Sequence, residues 1–189
     1  MEGFGMNRLA EILAQNKDFV ENKQYEPLVT SKYPDKKLVI VTCMDTRLVE
    51  LLPKALRIKN GDVKMIKTAG ALIHHPYDSV MRSVIVAVTM LKAEEVLVIG
   101  HLDCGMAGLK GEQVVDRLKD RGITEEELKD QDVNVGKWLS GCEVIEQGVL
   151  NTVKLIKEHP LLPKDVLVHG LTIDPTTGKL ELLYEDQLS

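Results

Sequence analysis

The sequence predicts an α/β fold: a mostly parallel central β-sheet with an antiparallel edge strand, helices on both faces and an N-terminal helical arm. Three observations carry that reading. Short apolar runs of strand length alternate with helical patterns, which is how parallel β-α-β connections read. One helical segment, Tyr77 to Lys92, is apolar almost all round and must be covered on more than one side. The last two strand-like runs flank "TIDPTTG", a hairpin connection that makes the final strand antiparallel.

Taken in order, residues 7–20 place Leu9, Ile12, Leu13, Phe19 and Val20 at helical spacing, with Asn16 interrupting the stripe, so an amphipathic helix opens the chain. Pro27 and Pro34 make the following stretch a connecting arm. The expected division is therefore an arm over 1–35 and an α/β domain over 36–189. Leu38 to Thr42 and Val63 to Thr68 are the first two strands, and Val96 to Gly100 the third. Between the second and third, Val80, Met81, Val84, Ile85, Val86, Val88, Met90 and Leu91 form the over-apolar helix. A sheet covers one of its sides and a second subunit is the simplest cover for another. Thr124 to Glu127 and Ser140 to Glu143 have the form of capping boxes, the second opening a long helix that stops before Pro160. Val166 to Leu171 and Lys179 to Tyr184 are the closing pair of strands.

Composition bounds the function. A chain of 189 residues, 44% hydrophobic and 28% charged, suits one globular domain with an appended arm. The net charge of -5 argues against nucleic acid as a partner, since such binding leans on excess Lys and Arg. No apolar run has the length to span a bilayer, and charges at Glu2, Arg8, Glu11, Lys17 and Asp18 leave no signal-peptide core. Three cysteines, far apart, do not make a disulfide framework. The expectation is a cytoplasmic enzyme or binding protein with no membrane partner.

The chemistry concentrates in two stretches. "VTCMDTR" (41–47) sets Cys43, Asp45 and Arg47 at the end of the first strand, and "GHLDCG" (100–105) sets His101 and Cys104 at the end of the third. In open α/β sheets the site lies beyond the carboxyl ends of the strands, at a topological switch point, so neighbouring strands would bring these residues into one crevice. Singly, each has a structural reading: Cys43 as a buried small residue, His101 as a core histidine, Asp45 and Arg47 as a surface ion pair. Together, two thiolates and one imidazole are good zinc ligands, and three protein ligands with an open fourth position is the pattern of catalytic zinc. An arginine beside a carboxylate lowers its pKa and fixes its direction. Of the remaining candidates, His74 and His75 fall in a loop, His169 ends a strand, Cys142 begins a helix, Asp103 is an exposed turn carboxylate, and Met44 and Met106 pack the pocket wall.

"CMDTR" followed by "GHLDCG" resembles the zinc-site signature of the β-class carbonic anhydrases, C-x-D-x-R and H-x-x-C. Further similarity lies in "KTAGA" (67–71), in "DSVMRSVIVAVTMLKAEEVLVIGH" (78–101) and in the C-terminal "VHGLTID" and "TGKLELL". The resemblance spans about residues 36–184, and the compact length is similar to the small bacterial and archaeal branch. It implies one zinc per chain on Cys43, His101 and Cys104, with Asp45 and Arg47 as the catalytic dyad. Asp45 is a possible fourth ligand in a resting state, and Gly70 and Gly105 line the pocket for CO2 or bicarbonate. It implies reversible hydration of CO2 by hydroxide generated at the zinc, and assembly as a homodimer or a dimer of dimers. Ala71 stands where the family commonly has Asn or a similar polar residue. Two alternatives remain open: a zinc hydrolase of carbon disulfide or carbonyl sulfide, and a non-enzymatic zinc or thiol binding module.

Overall fold

The computed structural model describes residues 7–188, which fall into two compact units, one ending at Ser31 and one starting at Lys32. In the first, α1 (Arg8–Glu21) starts where the Asn7 side chain accepts a hydrogen bond from the Leu9 N–H at 3.1 Å. A 3-10 turn, Glu26–Leu28, follows. None of the α1 residues is buried; Leu9, Ile12 and Leu13 are each about 60% exposed, so the apolar stripe lies open.

The second unit runs β1 (Leu38–Cys43), α2 (Leu48–Ala55), β2 (Val63–Thr68), α3 (Ser79–Met90), β3 (Glu95–His101), α4 (Gly111–Asp120), α5 (Glu125–Lys129), α6 (Val135–Leu139), α7 (Ile145–Lys157), β4 (Leu167–Ile173) and β5 (Leu180–Tyr184). The sheet order is β2-β1-β3-β4-β5, parallel throughout except for the β4–β5 pair. This is the α/β architecture the alternating pattern predicts. Side chains alternate between two cores, as the two-residue strand period requires. Val39, Val41, Val96, Val98 and Val168 face α3 and α7, while Ile40, Ile99 and Ile173 face α2 through Leu48 and Leu52.

The chain leaves β1 for β2 on one side and returns to β3 on the other, so the switch point lies between β1 and β3. The two strands pair in register from Leu38 opposite Glu95 to Thr42 opposite Ile99. The Thr42 hydroxyl donates to the Ile99 carbonyl at 2.8 Å, closing the seam just before both strands end. Gly100 lets α7 rest on β3 at that level: a Cβ there would sit 2.7 Å from Val149 Cγ2 and 2.9 Å from Ile145 Cγ1. The carboxyl ends of β1 and β3 are thereby fixed side by side.

Several expectations are corrected. Ser140 and Glu143 do not open the long helix; α7 begins at Ile145, after Val144, without a side-chain cap. The Ser140 hydroxyl instead donates to the Gly136 carbonyl at 2.9 Å and accepts from the Gly111 N–H at 3.1 Å, tying α6 to α4. Cys142 lies ahead of that helix, in an isolated bridge to Ala107. His169 sits inside β4, where its Nδ1 accepts from the Asp186 N–H at 3.2 Å. The Thr124–Glu127 capping box is present, at the start of α5. In α3, Met81, Val84 and Ala87 are buried, while Val86 and Met90 on its other side remain exposed, as does Tyr77 just before it. No helix among the described residues is long and apolar enough to cross a membrane.

The carboxyl-terminal segment is held by Asp186. Its buried carboxylate accepts from the Val168 N–H at 3.1 Å and the Gln187 N–H at 3.0 Å, and pairs with Lys157. Burial raises its pKa, but Lys157 and the two N–H groups outweigh that and bring it below the ordinary 3.8. A carboxyl depressed by folding stabilises the protein above its unfolded pKa, and this contribution is lost as pH falls through the lower folded value. Asp186→Asn should therefore cost about 1–3 kcal/mol at pH 7. The gap from the unsubstituted protein should narrow below about pH 4. Urea unfolding at pH 7 and pH 3 measures both; equal midpoints at pH 7 would show that the pair contributes nothing.

Candidate metal centre

β1 delivers Cys43 at its last position, and β3 delivers His101 at its last position with Cys104 three residues on. All three are buried, and one ligand atom from each lies within 4.8 Å of the others; the two sulfurs are 4.0 Å apart. His101 is oriented by its own turn: Nδ1 donates to the Leu102 carbonyl at 2.8 Å, which fixes the tautomer and leaves the Nε2 lone pair facing inward. That Nε2 is buried with no hydrogen-bond partner among the described residues. An orphaned acceptor beside two sulfurs is costly unless a cation meets it. The donor set, S₂N, is that of zinc, so the residues fit a metal.

The sulfurs have their own surroundings. Burial above all, and then the Cys43 sulfur, push the Cys104 thiol up to about 11, while the Met106 N–H pulls it the other way. Metal binding has to displace that proton. Gly70 donates its N–H to Cys43 Sγ at 3.4 Å. It does so at φ +76°, and a Cβ there would meet Met106 Cβ at 2.9 Å, so only glycine brings its main chain this close. The next residue, Ala71, is fully buried at φ +60°, a left-handed backbone that Asn tolerates better and that costs Ala about 1 kcal/mol. At Gly105 a Cβ would meet nothing within 4 Å, so space beside Cys104 is open.

Asp45 and Arg47 follow Cys43 in the turn before α2. Arg47 grips Asp45 side-on, Nε to Oδ1 at 3.0 Å and Nη2 to Oδ2 at 2.9 Å, and its own N–H adds a third bond to Oδ1 at 2.8 Å. These bonds hold the Asp45 carboxyl down to about 2 and raise the guanidinium. Asp45 Oδ2 is also 3.7 Å from His101 Nε2, so the carboxylate borders the metal position while both its oxygens are engaged by arginine. Arg47 further donates from Nη1 to Asp103 Oδ2 at 2.9 Å and from Nη2 to the Asp103 carbonyl at 3.1 Å.

Other expected site residues stand apart. His74 and His75 are exposed and outside the cluster, His75 Nδ1 accepting from the Tyr77 N–H at 3.1 Å. Met106 packs against the cluster, as expected, but Met44 is exposed. Asp103 is an exposed turn carboxylate, as expected, yet it has a partner 56 residues away that no local pattern reveals.

A mostly parallel sheet that gathers two thiols, an imidazole and a guanidinium-held carboxylate at its switch point defines an α/β protein of the metal-dependent enzyme class. The chain belongs to the carbonic anhydrase family, in its β class: the family model "Carbonic anhydrase" matches residues 38–180. It is 50% identical over 189 residues to the Bacillus subtilis protein named "Putative carbonic anhydrase YvdA", covering 97% of this chain and 96% of that one. It is 30% identical over 155 residues to a carbon disulfide hydrolase of Acidithiobacillus thiooxidans, covering 77% and 76% of the two chains. The crystal structure of β-carbonic anhydrase isoform I from Trichomonas vaginalis superimposes with a TM-score of 0.87 at 31% identity, covering 96% of this chain and all of the other. β-Carbonic anhydrases use zinc, which agrees with the donor set.

Proposed function

We propose that the protein is a carbonic anhydrase that interconverts CO2 and bicarbonate plus a proton, with one zinc per chain held by Cys43, His101 and Cys104. The observation that carries this reading is the Asp45–Arg47 pair: a carboxylate 3.7 Å from the buried His101 Nε2, its two oxygens occupied by one guanidinium. A site that merely staples a fold has no use for such a pair. When bound, zinc would supply a Lewis acid that lowers the pKa of water.

The chain's own residues do the rest. Asp45, ionised at any physiological pH, is an acceptor only, so it can orient a hydroxyl group but cannot donate a proton to it. Arg47 keeps the carboxylate in one plane through its two-point grip. Should the guanidinium let go, Asp45 is close enough to become a fourth metal ligand, which is its resting role in this reading. Gly105 leaves room beside Cys104 for a small uncharged molecule, and Gly70 brings its main-chain N–H onto Cys43 Sγ where a Cβ would meet Met106.

The carbon disulfide hydrolase relative supports a second reading, hydrolysis of a sulfur analogue of CO2 on the same residues. Rapid-mixing assays of the zinc-loaded protein separate the two. CO2 hydration should proceed with kcat/KM in the range of about 10⁴–10⁸ M⁻¹s⁻¹. Carbon disulfide should release hydrogen sulfide far more slowly. Hydration no faster than buffer, at full metal content, would refute the proposal; carbon disulfide turnover exceeding hydration would reassign the substrate. The exposed Tyr77, Val86 and Met90 around α3 support a homodimer, or a dimer of dimers, in which a second copy covers that side. Cys43 and Cys104 bind metal only as thiolates, which fits a reducing, cytoplasmic setting.

A further inference from the structure

We infer that Asp103 is a positioning residue for the carboxylate–guanidinium pair, holding the outer edge of Arg47 so that its inner edge stays on Asp45. The inference rests on the carbonic anhydrase reading and extends it to a third acidic residue. Four hydrogen bonds leave the Arg47 side chain, two to Asp45 and two to Asp103, one of the latter to a carboxylate oxygen and one to a main-chain carbonyl. A guanidinium has five N–H donors in a rigid planar fork, so four bonds to two residues fix both its plane and its rotation within that plane. Held by Asp45 alone, Arg47 could follow that carboxylate as it turned. Anchored from the far side as well, it resists the movement of Asp45 Oδ2 across the 3.7 Å that separates it from His101 Nε2.

The placement of the two acids gives the strap its direction. Asp45 lies two residues after Cys43, and Asp103 lies between His101 and Cys104. Arg47 therefore ties the turn that carries one predicted metal ligand to the turn that carries the other two. Asp103 has φ +54°, in the left-handed region that Asp and Asn tolerate better than most residues, and from there its carboxylate and its carbonyl both reach one guanidinium. Its side chain is 85% exposed, so an ion pair there adds little to stability, and burial does not account for its position.

Asp103→Asn keeps the shape and the backbone tolerance and removes the charge. Asp103→Gly removes the side chain without a penalty at positive φ. Each is made alone and in an Arg47→Ala background. The measurements are zinc per chain, CO2 hydration, and the visible absorption of the cobalt-substituted protein, which reports a change of ligand at the metal. Both single variants should retain full metal, lower kcat about tenfold, the low end for outer partners of a metal site, and shift the cobalt spectrum toward that of Arg47→Ala. In the Arg47→Ala background neither should have any further effect, because a residue acting only through Arg47 has nothing left to act on. An unchanged spectrum and kcat in both variants would overturn the inference, and so would a loss that recurs in full without Arg47. The spectral comparison does not need turnover: a wild type inactive toward CO2 would strike the proposed reaction and still leave Asp103 decided by the cobalt bands.

Discussion

Cys104→Ala should leave the purified protein without bound metal, and Cys43→Ala should do the same, whereas Cys142→Ala should retain about one zinc per chain. Each of the first two removes one of the three donors clustered among the described residues, and each donor is buried where water is a poor substitute. Apparent binding free energies of about 10–16 kcal/mol for four-ligand zinc sites amount to roughly 3 kcal/mol per ligand. One lost thiolate should therefore weaken binding at least about a hundredfold. The loss of charge adds to this, since a neutral methyl replaces an anion facing a dication. Cys142 lies in the bridge to Ala107 and belongs to no such cluster among the described residues. Elemental analysis after gel filtration measures the outcome. Full occupancy in both ligand variants would mean that the metal, if any, is held elsewhere.

Arg47→Ala should keep its zinc and lose activity by roughly a hundredfold, the upper range for groups that orient a metal site without binding the metal. The substitution removes four side-chain hydrogen bonds at once and leaves Asp45 held only at Oδ1, by the main-chain N–H of residue 47. The freed Oδ2 is already 3.7 Å from His101 Nε2, and a nearby dication would draw it in. Arg47→Lys should recover only part of the loss, because an ammonium cannot grip a carboxylate side-on at two points. Hydration rates and metal content measured on the same preparations test both statements. Near-normal turnover in Arg47→Ala would remove the pair from the mechanism.

Much of this was legible in the sequence because the signals were local. A strand buried on both faces reads as an unbroken apolar run, and Leu38 to Thr42 and Val96 to Gly100 are two of them, whereas Val63 to Thr68, at the sheet edge, is broken by Lys64 and Lys67 and only partly buried. Cys43 and His101 lie at the ends of two such runs, so they meet if the strands are neighbours, as β1 and β3 are. What escaped was decided by partners distant in sequence. The Ser140 hydroxyl had a local use at a helix start, but Gly111 and Gly136 claim it once α4 and α6 pack together. α2 is eight residues long with Pro53 inside it, too short to stand alone, and the burial of Leu48 and Leu52 against Ile40 and Ile99 holds it in place. Asp103 looks like any turn carboxylate until folding sets Arg47 beside it.

The register of β1 against β3 has a consequence for how the protein acquires its cofactor. Cys43 and His101 are 58 residues apart, and strand pairing that contains neither of them, from Leu38–Glu95 to Thr42–Ile99, brings them together. Hydrophobic burial on both sides of the sheet is enough to form that pairing. The order of events is then folding first and loading second, the reverse of a zinc finger, which has no stable structure to offer before its ion arrives. A chelator should accordingly return a folded apoprotein rather than a denatured chain. The ion still adds to stability by mass action, about 4 kcal/mol when free zinc stands a thousandfold above its dissociation constant. In a cell where free zinc is scarce, a standing pool of folded, unloaded molecules would respond to a rise in the ion without new synthesis.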